Sequence, residues 1–439
     1  MPVIYWAPLL HFYQPPLQIY EVLAKVVNES YRPLLEVLEE NPHAKLAVNI
    51  NAVLTELLWE HGFQDVIERL KALAQRDQVE FTGSAKYHAI LPLIPQYEMR
   101  RQIRRNHLTN RYFFGDLYDP QGFFPPEMCY SPQVIEPVVD GGHRWLILSG
   151  VACPVGWPMN AIHQISLDGE AILPVFFRDD ILSNKISFQG IDGQGFVEHL
   201  RQLKAPAGKD CYVVTAMDAE TFGHHIESWD RLFLAEVYES ILPETGAYQE
   251  VQEAQPLAAG HRRLVAMPQE PSLGEVRIVT ISELLDLFPA GQRVQPYPSS
   301  WSTTTDDLKA RNYYPLWKDP ANNLHRLQWE HTEIALGLVR RAQEVADNEA
   351  SQRHAQIARG LLDPALHSCQ YWWASRRPHW DVNMINRGLG QQEEVILNAF
   401  RAVNLSGVEE AVKRECYYRV VAARDICNKI RDQLFWDRI

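Results

Sequence analysis

The sequence predicts an α/β fold: a parallel β/α barrel over the first two thirds, then an α-helical domain. Three observations carry that expectation. Short apolar runs recur up to about residue 281, and helix-compatible segments separate several of them; strands alternating with helices form parallel sheets. Several runs stop abruptly at a carboxylate or a histidine, the position at which parallel barrels carry functional groups. After about residue 290 the apolar spacing changes to that of helices.

Taken in order, residues 3–10 form the first apolar run and lead into His11. Residues 19–40 are helix-compatible, 45–50 form the second run, and 54–76 are again helix-compatible. Residues 79–82 are the third run, followed by a helical stretch at 97–111. Phe123, Phe124, Pro125 and Pro126 deliver Glu127, and 144–148 form a further run. Asp168-Gly169 between two apolar runs ending at residue 177 signals a hairpin, hence an insertion. Val213, Val214, Ala216 and Met217 read as a buried strand that ends at Asp218 and Glu220. Residues 244–275 are rich in Pro, Gly and Gln and are expected to be a surface loop before a last run at 276–281. Seven or eight such strands suffice for a closed barrel.

Pro296-Tyr297-Pro298 is the expected linker, dividing a barrel domain at 1–295 from a helical domain at 296–439. Leu324, Leu327, Ile334, Leu338 and Val345 share one helical face, as do Ile396, Phe400 and Val403, and residues 408–434 are helix-compatible.

Bulk properties narrow the partners. The 439 residues are 46% hydrophobic and 22% charged, a globular composition. A net charge of −13 argues against a nucleic-acid partner, whose phosphates require Lys and Arg. Six cysteines lie far apart without a CxxC pair, which fits scattered thiols in a reducing compartment. The N-terminus lacks a basic region and a cleavage site, and no apolar stretch is long enough to span a bilayer. A cytoplasmic protein without a membrane partner is expected; the oligomeric state is left open.

Five segments, in order, resemble glycoside hydrolase family 57, the retaining family active on α-glucans. They are His11-Phe12-Tyr13-Gln14-Pro15, then Gly83 to Leu93 (GSAKYHAILPL), then Gly122 to Tyr130 (GFFPPEMCY), then Asp218 to His225 (DAETFGHH), and a weaker LHSCQYWW at 366–373. Arg178-Asp179 with Leu182-Ser183 is also similar. The resemblance implies an irregular (β/α)7-type barrel, with Glu127 as nucleophile and Asp218 as general acid/base. The residues agree: retention needs one ionised carboxylate to attack the anomeric carbon and one protonated carboxyl to donate to the leaving oxygen. Asp218 then needs a raised pKa, from burial or from Glu127 and Glu220.

The resemblance also places His11 and His88 beside the reacting sugar, with Gln14 as a hydroxyl ligand. Glu220, two residues past Asp218, shares its face of an extended strand and is expected to tune Asp218 or to bind a hydroxyl. Of His224 and His225, one is expected to touch sugar. Of Trp372 and Trp373, at most one can stack on substrate, since adjacent helical residues face different ways.

Three departures are visible. Tyr13 stands where the family usually has a second histidine, Phe124 replaces the common Trp ahead of Glu127, and the fifth segment has no Asp near Cys369. They bear on substrate specificity.

Four function classes follow: an amylase-like α-glucan hydrolase; a 4-α-glucanotransferase or branching enzyme; a metal-dependent barrel enzyme; and a non-catalytic glucan-binding protein. The third needs His/Asp ligands clustered at strand ends, which the surroundings of His11 lack. No metal and no cofactor is expected.

Overall fold

The computed structural model describes residues 2–156, 159–167, 170–203, 208–241, 275–377 and 380–436. The strands are β1 (Val3–Phe12), β2 (Leu46–Ile50), β3 (Val79–Gly83), β4 (Gly122–Phe123), β5 (Trp145–Ser149), β6 (Ile162–Leu167), β7 (Glu170–Arg178), β8 (Cys211–Asp218), β9 (Glu275–Ile278) and β10 (Ala290–Val294). The path β8-β1-β2-β3-β4-β5-β7 is parallel at every step, which makes seven strands. The sheet curls so far that the end of β7 meets β8. There the Asp179 N–H donates to the Val214 carbonyl at 2.8 Å and Arg178 Nε to the Ala216 carbonyl at 2.7 Å. This is the irregular seven-stranded barrel that the sequence predicts.

The expected hairpin is present, since β6 runs antiparallel to β7; its Asp168-Gly169 tip lies outside the described residues. It is not wholly an insertion: β7 pairs in parallel with β5 as a barrel strand, and of the two only β6 lies outside the seven. Unanticipated strand β10 pairs with β6, outside the seven. The expected surface loop at 244–275 lies outside the described residues up to 274. The helical stretch at 19–40 is interrupted by a π-turn at Val27–Tyr31. The one at 54–76 divides into Ala52–Glu60 and Gln64–Gln75 around Gly62, whose φ is +85°.

Alternation along the strands decides what faces the lumen. Tyr5, Ala7 and Leu9 of β1 pack inside with Ala47 of β2 and Tyr212, Val214 and Ala216 of β8. Ile4, Trp6 and Leu10 pack outward against the surrounding helices. Both faces are buried, so the strands read as continuous apolar runs. The same period carries the lumen face onward to His11, Asn49 and Asp218 at the C-terminal strand ends.

The helices Asn323–Val345, Glu349–Ala365, Val382–Leu405 and Glu410–Trp436 form the C-terminal half. One apolar core joins both halves, with Phe123, Leu146 and Phe177 beside Trp329, Leu338 and Ala399. A buried ionic cluster reinforces the junction. Asp363 accepts two 2.8 Å bonds from Arg101 and one of 2.7 Å from Arg359, with Arg105 at 3.1 Å. The Pro296-Tyr297-Pro298 segment hugs the barrel through a Tyr297 N–H bond to the Ala152 carbonyl. All six cysteines are free thiols, four of them buried. Among the described residues no helix is long and apolar enough to cross a membrane.

Candidate active site

The barrel mouth gathers groups from five strand ends. Register alone places His11 opposite Asp218 across β1–β8 and opposite Asn49 across β1–β2. Past β3, His88 takes up a left-handed backbone with φ +57°. Past β4, Glu127 does the same at φ +57°, and Met128 follows at +49°. Left-handed backbone in residues with a Cβ costs of order 1–3 kcal/mol each and persists only where the surroundings enforce it. Here it turns the side chains of His88 and Glu127 into one pocket.

Three carboxyls share that pocket. Burial, with the charge of Asp218 beside it, pushes Glu127 up to about 8, while the Trp301 hydrogen bond opposes the rise. Burial pushes Asp218 up to about 6, against the pull of the Arg178 guanidinium. Burial and the charge of Asp218 push Glu220 up to about 7. The predicted rise at Asp218 is thus present, and Glu127 rises too: closely spaced carboxyls in a low-dielectric pocket cannot all ionise together. Glu220 accepts from Tyr31 Oη and, at 2.9 Å, from Gln14 Nε2. Arg178 is itself buried and held by Asp180 at 2.8 Å and Asn184 at 3.0 Å.

The histidines form a chain whose tautomers follow from its ends. Asn49 Nδ2 faces Thr82 Oγ1 at 2.9 Å and the Gly83 carbonyl, so its Oδ1 is an acceptor for His11 Nδ1 at 2.7 Å. His11 Nδ1 therefore carries the proton, and His11 Nε2 accepts from His88 Nε2 at 3.0 Å. His88 Nδ1 is then bare and accepts from Ser368 Oγ at 2.7 Å. Burial lowers His11 to about 4 and His88 well below its usual range, so both rings are neutral. The 3.7 Å approach of His88 Nδ1 to Glu127 is consequently not an ion pair. Every ring nitrogen of both residues is engaged within the protein, and both side chains are buried.

Tyr13 lies flat on His88 at 3.9 Å between ring centroids, and its hydroxyl meets Cys369 Sγ at 3.4 Å. Burial, and with it the charge of Glu127, raises the proton affinity of both groups, so this phenol–thiol contact borders the Glu127 pocket. Phe124 stacks on His11 at 4.9 Å. Elsewhere, His224 Nδ1 binds Glu29 at 2.7 Å, while His225 donates its backbone N–H to Glu220. Trp372 packs toward the shared core and Trp373 toward Leu324 and Ile385, their rings crossing at 69°.

Four participants escape the motif reading. Asn49 is a polar residue at the end of an apolar run, a signal present in the sequence. Ser368 sits inside the fifth segment. Tyr31 is hidden in a helical stretch, and Trp301 lies beyond the linker without any motif. Among the described residues no three His, Cys, Asp or Glu are grouped to hold a metal ion.

A seven-stranded β/α barrel with a carboxyl cluster at its strand C-termini has the architecture on which barrel enzymes place their functional groups. The chain belongs to glycosyl hydrolase family 57, whose family model matches residues 7–256. An α-amylase of Pyrococcus abyssi is 28% identical over 231 residues, which is 51% of this chain and 33% of that enzyme. The chain thus spans about a third of the length of this relative. The 4-α-glucanotransferase of Thermococcus litoralis superposes with a TM-score of 0.66 at 20% identity, covering 92% of this chain and 60% of that one. A family 57 branching enzyme of Thermococcus kodakaraensis superposes at 0.62 with 15% identity, covering 96% and 95%. Both likenesses are of fold.

Proposed function

We propose that this chain is a retaining enzyme acting on α-1,4-glucans, with Glu127 as nucleophile and Asp218 as general acid/base. The observation that supports the reading is a pair of carboxyls, delivered from different strands into one pocket, in which burial and then the charge of Asp218 raise the proton affinity of Glu127. Glu127 attacks the anomeric carbon while Asp218 gives its proton to the glycosidic oxygen. Asp218 then deprotonates the group that releases the sugar from Glu127. Glu220, oriented by Gln14 and Tyr31, lies beside Asp218; burial and then the charge of Asp218 raise the proton affinity of Glu220.

Water as the intercepting group makes a hydrolase, and a sugar hydroxyl makes a glucanotransferase or branching enzyme. The intermediate is common to all three. Incubation with maltoheptaose and with amylose, followed by product sizing, separates them. Shorter sugars with new reducing ends mean hydrolysis. A ladder above and below the donor without new reducing ends means disproportionation, and branches on amylose mean branching. Binding without any product supports the glucan-binding reading, for which Tyr13 and Cys369 provide the structural motive.

A further inference from the structure

The segment following the predicted linker is tied to the Glu127 turn more closely than packing requires. Tyr130 and Ser299 exchange both backbone bonds, at 2.8 and 3.2 Å. The Trp301 N–H donates to the Glu127 carbonyl at 3.1 Å. Residues 299–301 therefore run antiparallel along residues 127–130, which include the two consecutive left-handed residues. Trp301 Nε1 then donates to Glu127 Oε2 at 2.8 Å. The indole is boxed in turn, its edge against His11 and Phe124 and the Arg178 guanidinium 5.8 Å over its ring. A closed Ser300–Thr303 turn, anchored through Thr303 Oγ1 to the Tyr313 carbonyl at 2.7 Å, fixes the segment from the other side.

We propose that Trp301 is the positioning residue of the nucleophile: its backbone N–H fixes the Glu127 turn, and its indole N–H aims the carboxyl into the pocket and favours its charged form. This rests on Glu127 being the nucleophile. Trp301 lies outside residues 7–256, the part of the chain that the family model matches.

The surroundings of Glu127 explain why a single N–H matters. From β8, Asp218 repels its charge. From the β3 side, His88 presents a bare nitrogen at 3.7 Å and donates nothing. Tyr13 and Cys369 hold each other, and Cys129 behind them is a buried neutral thiol. Arg178 directs one N–H from each of its three nitrogens to Ala216, Asp180 and Asn184. The indole N–H is the hydrogen-bond donor that favours the ionised form, and a hydrogen bond to the charged form lowers the pKa.

If Glu127 and Asp218 share one proton at the working pH, loss of that donor moves the proton toward Glu127. The productive arrangement, with Glu127 ionised and Asp218 protonated, becomes rarer. The maximum rate falls, and the last proton of the pair leaves at a higher pH.

The test uses the full chain and two variants: Trp301→Phe, and replacement of Trp301 by benzothienylalanine, which keeps the bicyclic shape and lacks the N–H. The Glu127 carboxyl is followed by carbon-13 NMR titration and assigned by its disappearance in Glu127→Gln. We expect its midpoint to rise by at least half a pH unit, about threefold in its ionisation constant, in both variants. We also expect the alkaline limb of the kcat/KM profile to move up while its maximum drops about tenfold. An unshifted Glu127 midpoint in the folded benzothienylalanine variant overturns the proposal, because a merely structural Trp301 would scale the rate without moving either titration. If Glu127→Gln keeps near-normal turnover, the nucleophile assignment fails instead, and the NMR midpoint still reports on Trp301 alone.

Discussion

At the residue scale the chemistry turns on where one proton sits. Glu127 and Asp218 are pushed to about 8 and about 6, and interacting sites titrate as a pair. Between these values the pair holds one proton, mostly on Glu127, so the form that the proposed roles require, with Glu127 ionised and Asp218 protonated, is the minor one. On those roles, activity falls below about pH 6, where both carboxyls are neutral, and above about pH 8, where both are charged. A bell-shaped kcat/KM profile centred near neutrality is expected, and a profile flat from pH 5 to 9 would contradict the shared proton. Glu127→Ala should lower turnover by about 10⁴-fold or more, as removal of a nucleophile does. Azide should restore it by occupying the vacated space, giving a glycosyl azide of the opposite anomeric configuration. Asp218→Ala should slow poor leaving groups by about 10²–10⁴-fold and spare activated aryl glycosides, which need little acid assistance. Both carboxylates were legible in the sequence because each ends an apolar run. The donors that set their protonation were less so: Tyr31 and Trp301 look like ordinary aromatic residues until the chain folds back on itself.

At the element scale, register and one irregular turn assemble the pocket. β1 and β8 pair from Ile4–Cys211 to His11–Asp218, so one slip would move both functional side chains out of the lumen. The π-turn at Val27–Tyr31 sends Tyr31 to Glu220 and lets Ser30 Oγ donate to the Ala219 carbonyl at 2.8 Å. π-turns are rare and frequent at functional sites; nothing in the smooth helical periodicity of residues 19–40 marks this one. Against it lies Gly223, with φ +108° and an ideal Cβ position only 1.8 Å from the Glu29 carbonyl oxygen. Gly223→Ala must both adopt strained backbone and push the π-turn away. We expect a loss of about 2–5 kcal/mol, from overpacking at 1–3 and left-handed backbone at 1–2, and reduced activity because Tyr31 retreats from Glu220. Chemical denaturation and kcat/KM measure the two effects; a neutral Gly223→Ala would show that the loop is not clamped there.

At the scale of the whole molecule, the two halves share one apolar core, and on the proposed function they form one catalytic body. The barrel was readable from alternation of strands and helices, and the helical half from its 3.6-residue spacing. Their mutual dependence was not, because it rests on pairs far apart in sequence: His88 with Ser368, Tyr13 with Cys369, and Asp363 with Arg101. Asp363 is the test of that dependence. It is fully buried and neutralises guanidinium groups from both the Gln96–Phe114 helix and its own helix, with Glu98 sharing the load on Arg359. Asp363→Ala takes away a fully buried carboxylate, but Arg101 and Arg105 are 32% and 40% exposed and can turn to water, and Arg359 keeps Glu98, so the loss is about 1–3 kcal/mol. The helical half carries Ser368 five residues further on, so loosening the junction also frees the bare nitrogen of His88. We expect a Tm lowered by several degrees, a faster cut by protease near residues 296–298, and a fall in kcat/KM larger than the loss of folded protein explains. Asp363→Glu, which keeps the charge, should recover part of each. If Asp363→Ala lost stability alone, with full activity per folded molecule, the helical half would be a support for the barrel and not a wall of its site.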